Sequence, residues 1–230
     1  MNSFLQFVFI FYIGCTLGWV IELIYRRITH GKWVNPGFLI GPYLPIYGFG
    51  LTIATAIYLL FKDSGLHPIL IVLLMGFLMT FLEFIGGLIG LKNNVKLWDY
   101  SDEWGNYKGI ICPLFSAIWT ISGAIYYFVL APHVMHALDW FSNNLAFSYI
   151  LGIFTGLIVI DVFYSGKLYI KIREFAKEND IVVKYEHFKM QIKEEQKKAE
   201  EKYSFLNPFK QTKPLKEYLN HYKKEKTNKR

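Results

Sequence analysis

The sequence predicts an all-α, polytopic membrane protein with five transmembrane helices, a duplicated two-helix unit and a helical tail in the cytoplasm. Three observations predict it. Of the 230 residues, 53% are hydrophobic and 18% aromatic, and the mean hydropathy is +0.25; that is too apolar for an ordinary soluble domain. The apolar residues gather into five runs close to the ~20 residues of helix that span ~30 Å of hydrocarbon. Charge is also segregated. Up to Ser165 there are 7 Lys and Arg against 8 Asp and Glu, and from Gly166 there are 18 against 10. The net charge of +7 therefore belongs to the tail.

The runs fall at about 4–25, 43–61, 67–91, 109–131 and 145–165. A membrane leaves helices or closed barrels as spanning structures, and continuous apolar runs select helices. The first run has no Lys or Arg before it and no small-residue cleavage site followed by soluble sequence, so it reads as an uncleaved helix. Orientation follows from basic residues in the loops. Arg26, Arg27 and Lys32 follow the first run, and Lys92, Lys96 and Lys108 follow the third. Lys62 alone follows the second, and the loop Ala131 to Asn144 has none. The N-terminus is expected outside, with the two long loops and the tail in the cytoplasm.

Trp33 to Gly50 is rich in helix breakers: Pro36, Gly37, Gly41, Pro42, Pro45, Gly48 and Gly50. Either Val34 to Pro42 is a short re-entrant or interfacial piece, or the second helix simply begins at Pro45. Asn35 to Pro42 (NPGFLIGP) and Asn106 to Pro113 (NYKGIICP) place Asn and Pro at the same separation. Each Asn has tryptophan before it, Trp33 in one case and Trp98 and Trp104 in the other, and Glu22 or Glu83 lies in the preceding run. This reads as a duplication of helices one-two into three-four; two independent Asn/Gly/Pro helix starts are the alternative.

From Gly166 the material changes. Tyr185, Phe188, Ile192, Ala199, Tyr203 and Leu206 fall near heptad spacing among charges of both signs, predicting an amphipathic helix over 166–207, either coiled-coil-like or lying on the membrane surface. Residues 208–230 read as a basic, disordered tail. Anionic lipid is its natural partner, at ~1 kcal/mol per basic residue near the surface; nucleic acid is not expected.

Three acids interrupt the apolar runs: Glu22, Glu83 and Asp161. All sit in the same half of their helices, which predicts a shared polar cavity open to the cytoplasm; locally paired, separate charges are the alternative. Glu22 has Arg26 one turn on. Asp161 is expected to pair toward Lys167 or to reach the interface. Glu83 has no such neighbour and should be paired across helices or protonated. The loop adds Lys96, Trp98, Asp99, Tyr100, Ser101 and Asn106, with Asp99 expected to cap a turn, to pair with Arg26 or Arg27, or to bind a cation. Asp99, Asp102 and Glu103 fit no metal-loop spacing, and His133, His136 and Asp139 read as surface residues beside a Trp140–Phe141 anchor, so no metal or cofactor is expected. Cys15 and Cys112 read as apolar fillers. No ATPase, nucleophile-elbow or zincin motif is present.

NPGFLIGPYLPIYGFG (35–50), Gly18-Trp19, Glu22, Glu83 and KLWDYSDEWGNYKGIIC (96–112) carry a resemblance. Over about residues 10–130 the chain resembles the ABC-transporter type IV, or CmpB-like, permease family of bacterial membrane proteins. It departs from the family at Pro36 and Lys96, where Arg is usual; both lessen the positive charge near Asp99. The resemblance implies a cell-membrane permease half working with a separate ATPase subunit. Five helices would need a homodimer to enclose a path. Glu22, Asn35, Glu83, Trp98, Asp99, Tyr100, Ser101, Asn106 and Asp161 would then line the cavity, with Arg26, Arg27 and Lys96 as pairing residues. A membrane scaffold or regulator acting through the tail is one alternative. A lipid-modifying enzyme using the acids as general acid and base is the other.

Overall fold

The computed structural model describes residues 3–31, 33, 35–185, 187–189, 191, 217, 220 and 223. The chain is mostly helical. Its elements are α1 (Ser3–His30), α2 (Pro45–Phe61), α3 (Pro68–Lys92), α4 (Pro113–Ile125), α5 (Ala131–Asn143) and α6 (Ser148–Glu178), with two short strands, β1 (Val95–Lys96) and β2 (Val183–Lys184). Helices α2, α3 and α4 each start on a proline, whose missing N–H costs nothing in a first turn.

Among the described residues, four helical stretches are long and apolar enough to cross a membrane: Phe4–Thr29, Pro68–Lys92, Pro113–Asn143 and Leu145–Glu178. The second expected span is shorter. Helix α2 has 17 residues, or ~26 Å of rise against ~30 Å of hydrocarbon. It begins at Pro45, after an irregular stretch through residues 35–44.

Two helices differ from the sequence expectation. Ala131 to Asn144 was expected as a loop, and Pro132 favours that reading. The chain instead passes through a π-turn, Tyr126–Leu130, in which Ala131 N–H donates to Tyr126 O, five residues back. Such a turn absorbs the hydrogen bond and space that proline denies an α-helix, and α5 continues beyond it. Phe141 on α5 is fully buried and stacks on Phe9, with centroids 4.5 Å apart. Helix α6 runs unbroken from the fifth apolar run through Gly166 to Glu178, so that run and the start of the helix expected over 166–207 are one element. The expected helix is then interrupted, because Asp180 takes a positive φ and β2 follows.

The α1–α2 and α3–α4 hairpins pack through glycine. A Cβ on Gly48 would lie 2.4 Å from Cys15 Sγ and 2.7 Å from Phe11 O. One on Gly76 would lie 2.2 Å from Thr120 Oγ1, and one on Gly123 3.1 Å from Met75 Cβ. Small residues of this kind let helix backbones approach in lipid, where no hydrophobic force drives them together.

Helices α3 and α6 finish alike. Asn94 and Asp180 take positive φ, 57° and 48°, which stops each helix. The strands that follow pair in parallel, Val95 with Val183 and Lys96 with Lys184. Parallel pairing puts both helix ends at one end of the bundle. The α1–α2 loop joins them there: Lys189 Nζ donates to Gly37 O at 2.5 Å and Tyr185 OH to Phe38 O at 3.3 Å. Val95, Ile172, Ala176, Val183, Tyr185 and Phe188 form a small buried core at this end. Of the six tail positions read as a heptad, Tyr185 and Phe188 belong to it; Ile192, Ala199, Tyr203 and Leu206 lie outside the described residues.

Candidate functional site

The acids in the helices meet donors from neighbouring elements. Glu22, half-buried on α1, accepts from Arg26 Nε at 3.2 Å and from Tyr47 OH of α2 at 3.0 Å. Glu83 on α3 is 2% exposed. Tyr100 OH donates to its Oε1 at 2.8 Å and Trp119 Nε1 of α4 to its Oε2 at 3.1 Å. No ion pair reaches Glu83 among the described residues. The rings of Tyr47 and Trp119 lie 5.4 Å apart, so an aromatic pair bridges the two carboxylates.

The α3–α4 loop builds the second part. Asn106 Oδ1 accepts from Gly109 N at 2.9 Å, and its Nδ2 donates to Ser101 O at 3.1 Å and Glu103 O at 2.9 Å. Gly109 adopts φ +69°, and a Cβ there would lie 2.5 Å from Ser101 Oγ and 2.6 Å from Asp99 Oδ1. The Asn-x-x-Gly step thus wraps the backbone tightly over Asp99. Lys96 Nζ reaches Asp99 Oδ1 at 2.7 Å, Ser101 Oγ reaches the same oxygen at 2.5 Å, and Lys184 Nζ reaches Oδ2 at 2.5 Å. Burial alone would raise Asp99; the donors Lys184, Lys96 and Ser101 outweigh it and hold the carboxyl well below the usual range. Tyr100 is pushed the other way, well above an ordinary phenol, by burial and by the Glu83 carboxylate. Trp98 Nε1 donates to Ile110 O at 2.9 Å.

These parts line a half-open cavity of about 690 Å³. Glu22, Arg26, Lys96, Trp98, Asp99 and Tyr100 line it. Deeper in, the wall is mainly apolar, with Leu51, Met75, Met79 and Ile118. Its wall follows α4 and the π-turn from Phe115 to Leu130, ~23 Å of helix.

The expected single cluster of three acids is not what the structure contains. Glu22 is on the cavity wall. Glu83 stands behind Tyr100 and Trp119, which are on the wall in its place. Asp161 is elsewhere: its carboxylate accepts from Ile40 N at 3.1 Å, Gly41 N at 2.7 Å and Ser165 Oγ at 2.7 Å. It pins the α1–α2 loop to α6 and does not pair toward Lys167, whose ammonium lies over the Phe163 ring at 5.6 Å. Asn35 is also off the wall. It accepts from Trp19 Nε1 at 2.7 Å and donates to Ile40 O at 2.7 Å. Ser101 and Asn106 shape the loop from behind. Arg27 donates to Gly31 O and lies 5.7 Å over Trp33. Asp99 therefore draws its cations from Lys96 and Lys184, not from the arginines. Sequence reasoning missed Tyr47, Trp119 and Lys184. The first two carried a signal: a phenol and an indole in apolar runs each need a partner for their polar atom. Lys184 carried none.

Fold and site together define a polytopic helical membrane protein with a half-open cavity that runs from the end where its loops converge along α4. The chain belongs to the family described as "Putative ABC-transporter type IV", which it matches over residues 9–166. The match thus runs through most of α6, beyond the stretch that carries the sequence resemblance. No curated protein and no solved structure matches the chain.

Proposed function

We propose that the protein is a permease-like subunit of an ABC-type transporter, with its cavity open to the cytoplasm. In this reading α1, α2, α3, the α4–α5 unit and α6 cross the membrane in turn. The N-terminus is outside, and the converging loops and the tail are inside. The paired loops of basic residues support this orientation, and the α1–α2 and α3–α4 hairpins are the two copies of one duplicated unit. The observation that carries the reading is the cavity itself: a carboxylate, aromatic rings and an apolar shaft lie in one continuous space between the two hairpins. A separate ATPase subunit supplies energy, a second copy of the chain completes the path, and anionic lipid holds the tail. The test is co-purification from the native membrane followed by ATPase assay. A co-purifying ATPase whose turnover changes in Glu22→Gln supports the reading; no ATPase, or full activity in that variant and in Asp99→Asn, sinks it.

A second reading is a regulator acting through the tail, favoured by the ion pair between Lys184, just after α6, and Asp99 on the cavity wall. Truncation after Gln191 separates the two. Loss of function with an intact cavity favours the regulator, and retained transport favours the permease.

A further inference from the structure

The lysines and the arginine on the cavity wall are already held. Arg26 is paired with Glu22, and Lys96 and Lys184 are both paired with Asp99. The acids are not all held. Asp102 and Glu103 are also on the wall and have no ion pair among the described residues. Among the described residues four acids on the wall face three strong bases and His187, and Glu83 adds its carboxylate from directly behind Tyr100 and Trp119. At the level of Glu22 the wall is aromatic, with Tyr25, Tyr47, Trp98, Tyr100, Phe115 and Trp119. Ring faces carry negative electrostatic potential and attract cations. Below this level the shaft is mainly apolar. An anion would meet acids and ring faces, and a neutral apolar solute would leave the carboxylates unused.

We propose that the cavity binds an organic cation with an apolar body, its charge held between Glu22 and the aromatic wall and its body in the apolar shaft. The inference rests on the transport reading only for what binding leads to, since binding itself needs no ATPase. Each well-placed ring contact is worth about twofold to thirtyfold in affinity.

The experiment uses the full chain in an uncharged sugar detergent. Tetraphenylphosphonium and tetraphenylborate share size and shape and differ in sign of charge. Binding is read by equilibrium dialysis against detergent alone and by quenching of tryptophan fluorescence. The expected result is saturable binding of one phosphonium per chain, with the borate at least about tenfold weaker. Glu22→Gln should weaken the phosphonium about fivefold or more and narrow the gap between the probes. Because that variant also disturbs Tyr47 and Arg26, the loop double variant Asp102→Asn, Glu103→Gln serves as a second probe, with about twofold loss. Equal or tighter borate binding overturns the proposal. So does phosphonium binding that is unchanged in both variants, or no greater than in detergent alone. Displacement by phosphatidylethanolamine would identify the cation as a lipid headgroup amine, and no displacement as a free solute. Phosphonium binding without any ATPase partner would leave this inference standing and remove the transport reading alone.

Discussion

Tyr100 donates its hydroxyl to Glu83 across 2.8 Å, so a loop residue supplies the partner of a carboxylate buried in a helix. With Trp119 on the other oxygen, the acid is satisfied by two neutral donors. Removing one leaves a buried oxygen without its bond, which typically costs ~1–3 kcal/mol.

Tyr100→Phe should therefore lower the thermal stability of the detergent-solubilised protein, and should lower it less in a Glu83→Gln background. A double-mutant cycle over the two positions is expected to give a coupling of roughly 1 kcal/mol. Additive losses would show that the hydrogen bond contributes nothing.

Asp99 makes stability depend on acid pH. Its folded carboxyl titrates well below the ordinary value, because Lys184, Lys96 and Ser101 outweigh its burial. A carboxyl depressed on folding contributes stability that is fully present above its unfolded pKa of ~3.9 and is lost as pH falls toward the folded value. Melting temperatures measured from pH 7 downward should thus show no Asp99 contribution to the slope until about pH 4, and a fall below it. Asp99→Asn should be less stable at neutral pH and should flatten that fall.

Gly109→Ala should be among the more damaging loop substitutions. It combines a positive φ with a Cβ within 2.5–2.7 Å of Ser101, Asp99 and Lys96 side-chain atoms, and is expected to cost ~2–3 kcal/mol. Gly31 has nearly the same φ, +67°, but open space around it, so Gly31→Ala should cost ~1 kcal/mol. Comparing the two melting curves isolates the crowding over Asp99.

Gly48→Ala should destabilise the α1–α2 hairpin, where the added methyl meets Cys15 and Phe11. Gly152→Ala on α6 meets nothing within 4 Å and should be neutral or stabilising by up to ~1 kcal/mol within the isolated chain. Thermal unfolding of the two variants side by side reads the difference.

Much of the architecture was legible because hydrocarbon imposes a length and a composition. The apolar runs, the proline starts and the Glu22–Arg26 pair all follow from local rules. Helix α5 was hidden because Pro132 beside polar residues resembles a loop, and only the π-turn before it lets the helix continue. A helix after Ser165 was legible, but not that it continues the fifth apolar run as one element, nor that it stops at Glu178. The site was legible in its residues but not in its partners. Asp161 finds backbone amides of Ile40 and Gly41, and Asp99 finds Lys184. These groups are distant in sequence, and no periodicity announces them.

The short parallel ladder has a consequence for dissecting the protein. Val183 and Lys184 lie beyond the last apolar helix, yet Val183 is wholly buried against Val95 and Lys184 clasps a wall residue of the cavity. A cut at the point where the lipid-soluble sequence ends would remove not an appendage but a panel of the chamber. There is no clean seam there between body and tail, and whatever takes hold of the chain after α6 has a handle on Asp99.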